Sequence, residues 1–273
     1  MASRKFSTPS GASAPMRSPA SRRSVAVVKT NSGTASAPRH GLARVISKRG
    51  YCSRSQAENL VRAGKVALNG RIVRDPEAPT DALQDCIAID GVDIAASVPL
   101  WIMLHKPRGL VTTAQDERGR DTVYALLADA DLPWLAPVGR LDKASEGLLL
   151  FTNDSAAAAR LLAPESHISK IYHVHIDTLP DESLLQRLRI GVVDAGEHLG
   201  IGRVRELRRG ERNAWLEVIL DEGKNRQIRR VLAAQDVEVL RLVRVGIGPL
   251  ALGDLKKGEW RHLSAAEIIA LTS

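Results

Sequence analysis

The chain has 273 residues, 44% of them hydrophobic and 26% charged, the composition of a soluble globular protein long enough for a small module beside a larger domain. No run of about eighteen apolar residues suggests a membrane span, and the only cysteines, Cys52 and Cys86, sit outside any Cys-x-x-Cys or Cys/His cluster, which excludes a disulfide framework and a zinc finger and fits a reducing compartment. The formal charge of +8 points to an anionic partner, yet residues 1–40 hold seven Lys/Arg and no acid, leaving 32 basic against 31 acidic residues elsewhere.

Residues 1–40 are rich in Ser, Ala, Pro and Arg, with Phe6 as their one aromatic and no apolar period. Such a segment buries too little to offset the entropy of ordering, so it reads as a disordered basic tail. An organelle transit peptide is the alternative, and the scattered prolines speak against its amphipathic helix. Order is expected from Leu42, where Leu42, Val45 and Ile46 share a helical face. A second helix should start at the capping-box spacing of Ser53 and Gln56, carry Ala57, Leu60 and Val61 inward, and end at Gly64. Asn69-Gly70 between short apolar runs signals a hairpin, and residues 86–91 a third strand. Across Ala43 to Arg74, eight basic residues (Arg44, Lys48, Arg49, Arg54, Arg62, Lys65, Arg71 and Arg74) face one acid, Glu58.

A larger domain is expected from about Pro99, which places the divisions at 1–40, 41–96 and 97–273. Residues 101–105 read as a buried strand stopped by Lys106-Pro107, and Asp121 as the cap of a helix through Leu127. Strands are expected at 147–152, 171–176, 215–220 and 239–245, with a helix opened by Asp154 and a basic helix over 225–234. The mixture predicts an α+β fold around a mainly antiparallel sheet. No Gly-rich phosphate loop is present, so no nucleotide cofactor is called for.

The first folded module, residues 42–90, carries Cys52-Ser53-Arg54, Gly64, Val66 and Asn69-Gly70 in order and resembles the alpha-L RNA-binding module of a ribosomal small-subunit protein and of tyrosyl-tRNA synthetases. The resemblance implies RNA phosphates as partner, with Arg44, Lys48, Arg49, Arg54, Arg62 and Lys65 as contacts. A solvated helix face is the ordinary alternative for such a charge run.

Taken alone, Asp142 is a turn residue or a partner of Arg140, and Tyr172 a packed aromatic on an alternating strand. The segment GRLDKASEGLLLFTND around Asp142, however, resembles the signature loop of RsuA/RluB-type ribosomal RNA pseudouridine synthases. LHKPRGLVTT, SKIYHVHI and EGKNRQIRR resemble the other motifs of that family, in order, and with GEWRHLSAAEI the likeness covers about residues 99–268. Ala144 departs from the pattern, since members often carry an acid there.

The resemblance implies a small alpha-L module followed by a pseudouridine synthase domain that isomerises uridine in ribosomal RNA. That reaction breaks the bond from N1 to the ribose, turns the base, rejoins it through C5 and removes the C5 proton. It needs no redox step, cofactor or metal. Asp142 is then the catalytic carboxylate, either as nucleophile at the anomeric carbon or as the base that forms a glycal. A buried carboxylate needs a cation to stay ionised, and the family pattern puts Arg229 in that role. Tyr172 stacks on the target base with its hydroxyl at the C5 proton, and Arg140 fills the space an extruded base leaves. Lys224, Arg226 and Arg230 become phosphate contacts or a solvated face.

His105, His167, His173 and His175 lack a third ligand at metal spacing and are read as surface or packed residues. The expected substrate is ribosomal RNA or an assembly intermediate, leaning to the large subunit, acted on by a monomer in the bacterial cytoplasm with no membrane partner. The competing readings are a non-catalytic ribosome-assembly RNA binder, which has no use for a nucleophile, and an RNA N-glycosidase, which would release uracil.

Overall fold

The computed structural model describes residues 39–95, 98–114 and 116–273. The basic tail expected over residues 1–40 lies, up to residue 38, outside the described residues.

The N-terminal part runs β1 (His40–Gly41), α1 (Leu42–Lys48), α2 (Arg54–Arg62), β2 (Val66–Leu68), β3 (Arg71–Ile72), β4 (Pro79–Thr80), β5 (Ile87–Ile89) and β6 (Val92–Asp93). Among the described residues the first regular element thus lies two residues before Leu42, where His40 and Gly41 pair with Thr80 and Pro79. Ser53 and Gln56 form the full capping box of α2, a contact worth about 1 kcal/mol. Asn69 and Gly70 both take positive φ, 51° and 79°, as a tight hairpin between β2 and β3 requires. β3-β2-β5-β6 form an antiparallel sheet, and Leu42, Val45, Ile46, Ala57 and Val61 pack on Val66, Ile87 and Ile89 as one core.

The larger part contains β7 (Trp101–Lys106), a 3-10 turn (Val123–Leu127), β8 (Ala136–Val138), β9 (Glu146–Thr152) and α3 (Ser155–Leu162). A second 3-10 turn (Pro164–Ser166), β10 (Lys170–Ile176), α4 (Glu182–Ile190), β11 (Val192–Asp194) and β12 (Glu197–Leu199) come next. β13 (Arg203–Arg209), β14 (Ala214–Leu220), α5 (Gln227–Ala233), β15 (Val239–Ile247), β16 (Leu250–Ala251), β17 (Trp260–His262) and α6 (Ala265–Thr272) complete it. The order β13-β14-β10-β15-β9-β7-β17 forms one sheet, with β16 added on β15 and β8 on β9. Among the described strand pairings of this sheet, only β15–β9 is parallel. The α+β architecture read from the sequence is thus present, as a small two-helix and sheet module followed by a mainly antiparallel domain.

Two local expectations change. The helix capped by Asp121 is a 3-10 turn capped instead by Thr122, whose hydroxyl accepts from the Tyr124 N–H. The basic helix starts at Gln227 rather than Asn225, because Arg226 takes a left-handed φ of 49° and residues 224–226 form a turn before it.

Burial explains why the strands read differently. All seven residues of β9 are buried, since Leu148 and Leu150 meet α3 and α6 on one face while Leu149 and Phe151 meet Leu104 and Leu135 on the other. A strand covered on both faces reads as a continuous apolar run. β14 alternates instead: Ala214, Leu216, Val218 and Leu220 pack under α4 and α5, while Trp215, Glu217 and Ile219 turn to a face left more open.

Candidate active site

Asp142 lies in the connection between β8 and β9, and its backbone is held by the segment after β7. Every carbonyl from Leu141 to Ser145 accepts a hydrogen bond. Thr112 Oγ1 donates to Leu141 O at 2.9 Å, the Gly109 N–H to Lys143 O at 2.8 Å, and Lys106 Nζ to Asp142 O at 3.1 Å and Ser145 O at 2.8 Å. Arg229 Nη2, from α5, donates to Ala144 O at 3.2 Å. Lys106 is fully buried, and burial pushes its ammonium down to about 8, against the pull of Asp142 and Glu146. The conformation of the Asp142 loop is therefore set by side chains from three separate elements.

The loop opens on a cleft of about 690 Å³ whose walls include Arg140, Asp142, Tyr172, Arg226, Arg229 and Arg244. The Asp142 carboxylate is partly exposed and accepts from Arg226 Nη1 at 3.3 Å. Arg229, expected as the direct partner of Asp142, instead donates to the carbonyls of Ala144 and Val239 and leaves Nε without a partner. Burial lowers the Arg229 guanidinium from its ordinary range, Arg226 and Arg108 add to that, and Asp142 opposes it. The guanidinium remains charged, as arginine does throughout proteins. The correction has a geometric cause: Arg226 sits in the left-handed turn before α5, and its side chain pairs with Asp142. Gln227 pins that turn, donating to Gly200 O and Glu222 at 2.7 Å each and accepting from the Lys224 N–H.

Tyr172 is partly buried on β10, on the sheet face that carries Val174 and Ile176 into the core under α5. Arg244, its cross-strand neighbour on β15, is buried, donates through Nε to Leu148 O at 2.8 Å and leaves Nη2 without a partner. Sequence reading missed Lys106, Gln227 and Arg244. The available signal was charge inside an otherwise apolar strand, as with Arg241 and Arg244 in Val239–Ile247, because charged residues are seldom fully buried without a specific task.

A model described as RNA pseudouridylate synthase matches residues 100–234, and one described as S4 domain matches residues 41–79. A protein of Rickettsia bellii described as an uncharacterized RNA pseudouridine synthase is 39% identical over 82% of this chain and 96% of its own length. The chain belongs to the RNA pseudouridylate synthase family. Ribosomal large subunit pseudouridine synthase B of Bacillus subtilis is 32% identical over 83% of this chain and 93% of its own. A crystal structure of a pseudouridylate synthase, 28% identical, superposes with a TM-score of 0.58 over 86% of this chain and all of that one.

The chain is thus an RNA pseudouridine synthase, an isomerase, with an S4 domain before its synthase domain. Several basic residues expected to face RNA are engaged within the synthase itself. Arg49 donates to the carbonyls of Ile94, Ala82 and Asp85 at 2.7–3.0 Å, clasping the S4 domain from inside. Arg230 is bound to Asp194 and Glu197, at the β11–β12 hairpin, so it braces α5 rather than facing outward as a free cation. Lys224 pairs with Glu222 and His198 O, Arg54 with Glu58 and Glu77, and Lys65 with Asp90. Lys48 lies against His40. Arg44, Arg62 and Arg140 are exposed. The physical reason is shared: long cations beside carboxylates or free carbonyls satisfy them first, which a linear count of charge cannot reveal.

The buried Lys106 yields a prediction with a definite sign. Its folded value of about 8 lies below the ordinary 10.5, so between those pH values the unfolded chain holds a proton that the folded chain has released. Its contribution to stability therefore rises with pH across that window and is lowest below pH 8. Lys106→Met should remove this slope from urea-unfolding measurements taken between pH 7 and 10, and should cut turnover about a hundredfold by releasing the Asp142 loop. An unchanged pH slope in the variant would show that another group titrates.

Proposed function

We propose that this pseudouridine synthase isomerises one or a few uridines of ribosomal RNA, in the large rather than the small subunit, and that it works as a monomer in the bacterial cytoplasm. The reading is supported above all by one juxtaposition: Asp142, Tyr172 and a set of arginines from four separate sequence segments line a single cleft. The likeness to the Bacillus subtilis large-subunit enzyme supplies the substrate class.

In this reading residues 41–96 capture RNA and residues 97–273 carry out the chemistry. The Asp142 carboxylate acts at the ribose while the bond to N1 breaks. The base turns within the cleft, the new bond forms through C5, and the Tyr172 oxygen takes the C5 proton as its own hydroxyl proton passes to solvent. Arg226 and Arg229 both act on the carboxylate, the first through the ion pair and the second through its field and its hold on Ala144 O. Arg140, exposed at the rim, occupies the stack that the extruded base vacates. Arg44 and Arg62 remain as the phosphate contacts of the S4 domain.

Pseudouridine mapping of ribosomal RNA from cells with and without the gene tests activity and target together. Loss of one or a few large-subunit pseudouridines is the expected result; loss confined to the small subunit or to transfer RNA would refute the substrate assignment. Tyr172→Phe keeps the ring and loses the hydroxyl, so affinity should hold while the single-turnover rate at saturating enzyme falls by roughly a hundredfold. A wild-type rate in that variant would remove the hydroxyl from the mechanism.

A further inference from the structure

The face of the sheet opposite Tyr172 carries a row of flat nitrogen-bearing side chains that the isomerase chemistry does not use. Cross-strand register puts Arg208 of β13 opposite Trp215 of β14, Trp215 opposite His175 of β10, and His175 opposite Arg241 of β15. The groups stand side by side. The His175 and Trp215 rings are stacked at 4.8 Å with 3° between planes, and Arg208 lies over the Trp215 ring at 5.0 Å. The row borders an open depression of about 400 Å³ floored by Val243 and Val245.

Two observations set this row apart from an ordinary solvated face. A bulge in β13 makes Leu207 an extra residue between Glu206, opposite Leu216, and Arg208, opposite Trp215. Without it, strand alternation would place Leu207 on this face and turn Arg208 to the other. The bulge thus brings a cation to the end of the row, beside Leu207, which also lines the depression. The second observation concerns hydrogen bonding. Among the described residues, the Arg208 guanidinium, the Trp215 indole N–H and the His175 ring nitrogens have no hydrogen-bond or ion-pair partner. The nearby carboxylates are already engaged, Glu217 by Arg205 and buried Glu146 by Arg241 and Lys257. Four cations therefore meet two carboxylates, and Arg208, Trp215 and His175 keep uncommitted donors side by side.

We propose that this row is a second RNA-binding surface, which takes the phosphate backbone of a single-stranded segment of the substrate outside the modified site. Trp215 is already stacked against His175 and Arg208, so the row offers edges rather than open ring faces. Aligned N–H edges with surplus positive charge suit phosphate oxygens, which accept and never donate. Single-stranded RNA fits because backbone contacts need no base pairing and the enzyme already acts on RNA. Strands about 4.8 Å apart spread the four positions over roughly 14 Å, enough for more than one phosphate. The surface lies on the opposite face of the sheet from the cleft and extends the RNA path beyond the cleft and the S4 domain.

The test uses the full chain with a fluorescein-labelled oligouridylate, read by anisotropy against salt, and with a 4-thiouridine oligomer for photocross-linking. Arg208→Glu should weaken binding by about tenfold and flatten the log–log salt slope by roughly 0.7, whereas Arg208→Lys should keep the slope and lose only about twofold to threefold. Cross-links should fall within residues 203–217 as well as in the cleft. Arg208 is exposed, and an unchanged melting curve for each variant confirms the fold. Affinity of Arg208→Glu within about twofold of wild type, with no cross-link in that segment, would overturn the proposal. So would capture of the face by an acidic polypeptide with no response to RNA. Neither result would touch the isomerase reading, which is decided in the cleft.

Discussion

Asp142→Asn should leave RNA affinity and melting temperature unchanged and lower turnover by at least about a thousandfold, because an amide is neither a nucleophile nor a base. The substitution is nearly isosteric, and the backbone of the loop is held from Leu141 to Ser145 by Thr112, Lys106, Gly109 and Arg229 rather than by the carboxylate. Geometry should therefore survive. The side chain is partly exposed, and its one ion pair, with Arg226 at 3.3 Å, contributes little at such a surface. Because the isomer has the same mass as uridine, single-turnover release of tritium from C5-tritiated uridine in bulk ribosomal RNA measures the effect. Substantial residual conversion by purified Asp142→Asn would mean that another group does the chemistry.

The largest stability effect is expected at Gly147. It is the second residue of buried β9, takes a φ of 107°, and lies opposite Arg244 in the parallel β9–β15 pairing. A Cβ there would sit 2.2 Å from the Arg244 carbonyl oxygen and 2.6 Å from its nitrogen, both backbone atoms in mid-sheet that cannot swing aside. Gly147→Ala thus combines a left-handed penalty of about 1–2 kcal/mol with overpacking of about 1–3 kcal/mol. For a domain of this size the loss should lower the melting temperature by roughly 10 °C. Activity should fall as well, since Gly147 pairs with Lys106 on one side and Arg244 on the other, one anchoring the Asp142 loop and one lining the cleft. A melting temperature within about 2 °C of wild type would show that β9 and β15 separate more easily than their burial suggests.

Much of the architecture was legible along the chain because local rules act there. Ser53 and Gln56 cap α2, Asn69-Gly70 turns the β2–β3 hairpin, and Asp154 opens α3, each through contacts within a few residues. The strands were legible by period, a continuous run in β9 and alternation in β10 and β14. Asp142 and Tyr172 were legible only as members of a motif set, since each alone has an ordinary reading.

What the sequence determined by itself was the type of most elements it named, the order of the two folded parts and the residues that carry the family resemblance. The tertiary structure decided which cation reaches which anion. Arg226 rather than Arg229 pairs with Asp142, Arg49 and Arg230 turn inward to carbonyls and carboxylates, and buried Lys106 anchors a loop 36 residues further along the chain. It also turned Arg208 and Trp215 toward the same face, through a one-residue bulge that has no signature in the order of the amino acids. Capping and turn preferences are short-range and repeat wherever the residues repeat, whereas a long side chain finds its partner only after the strands are in register.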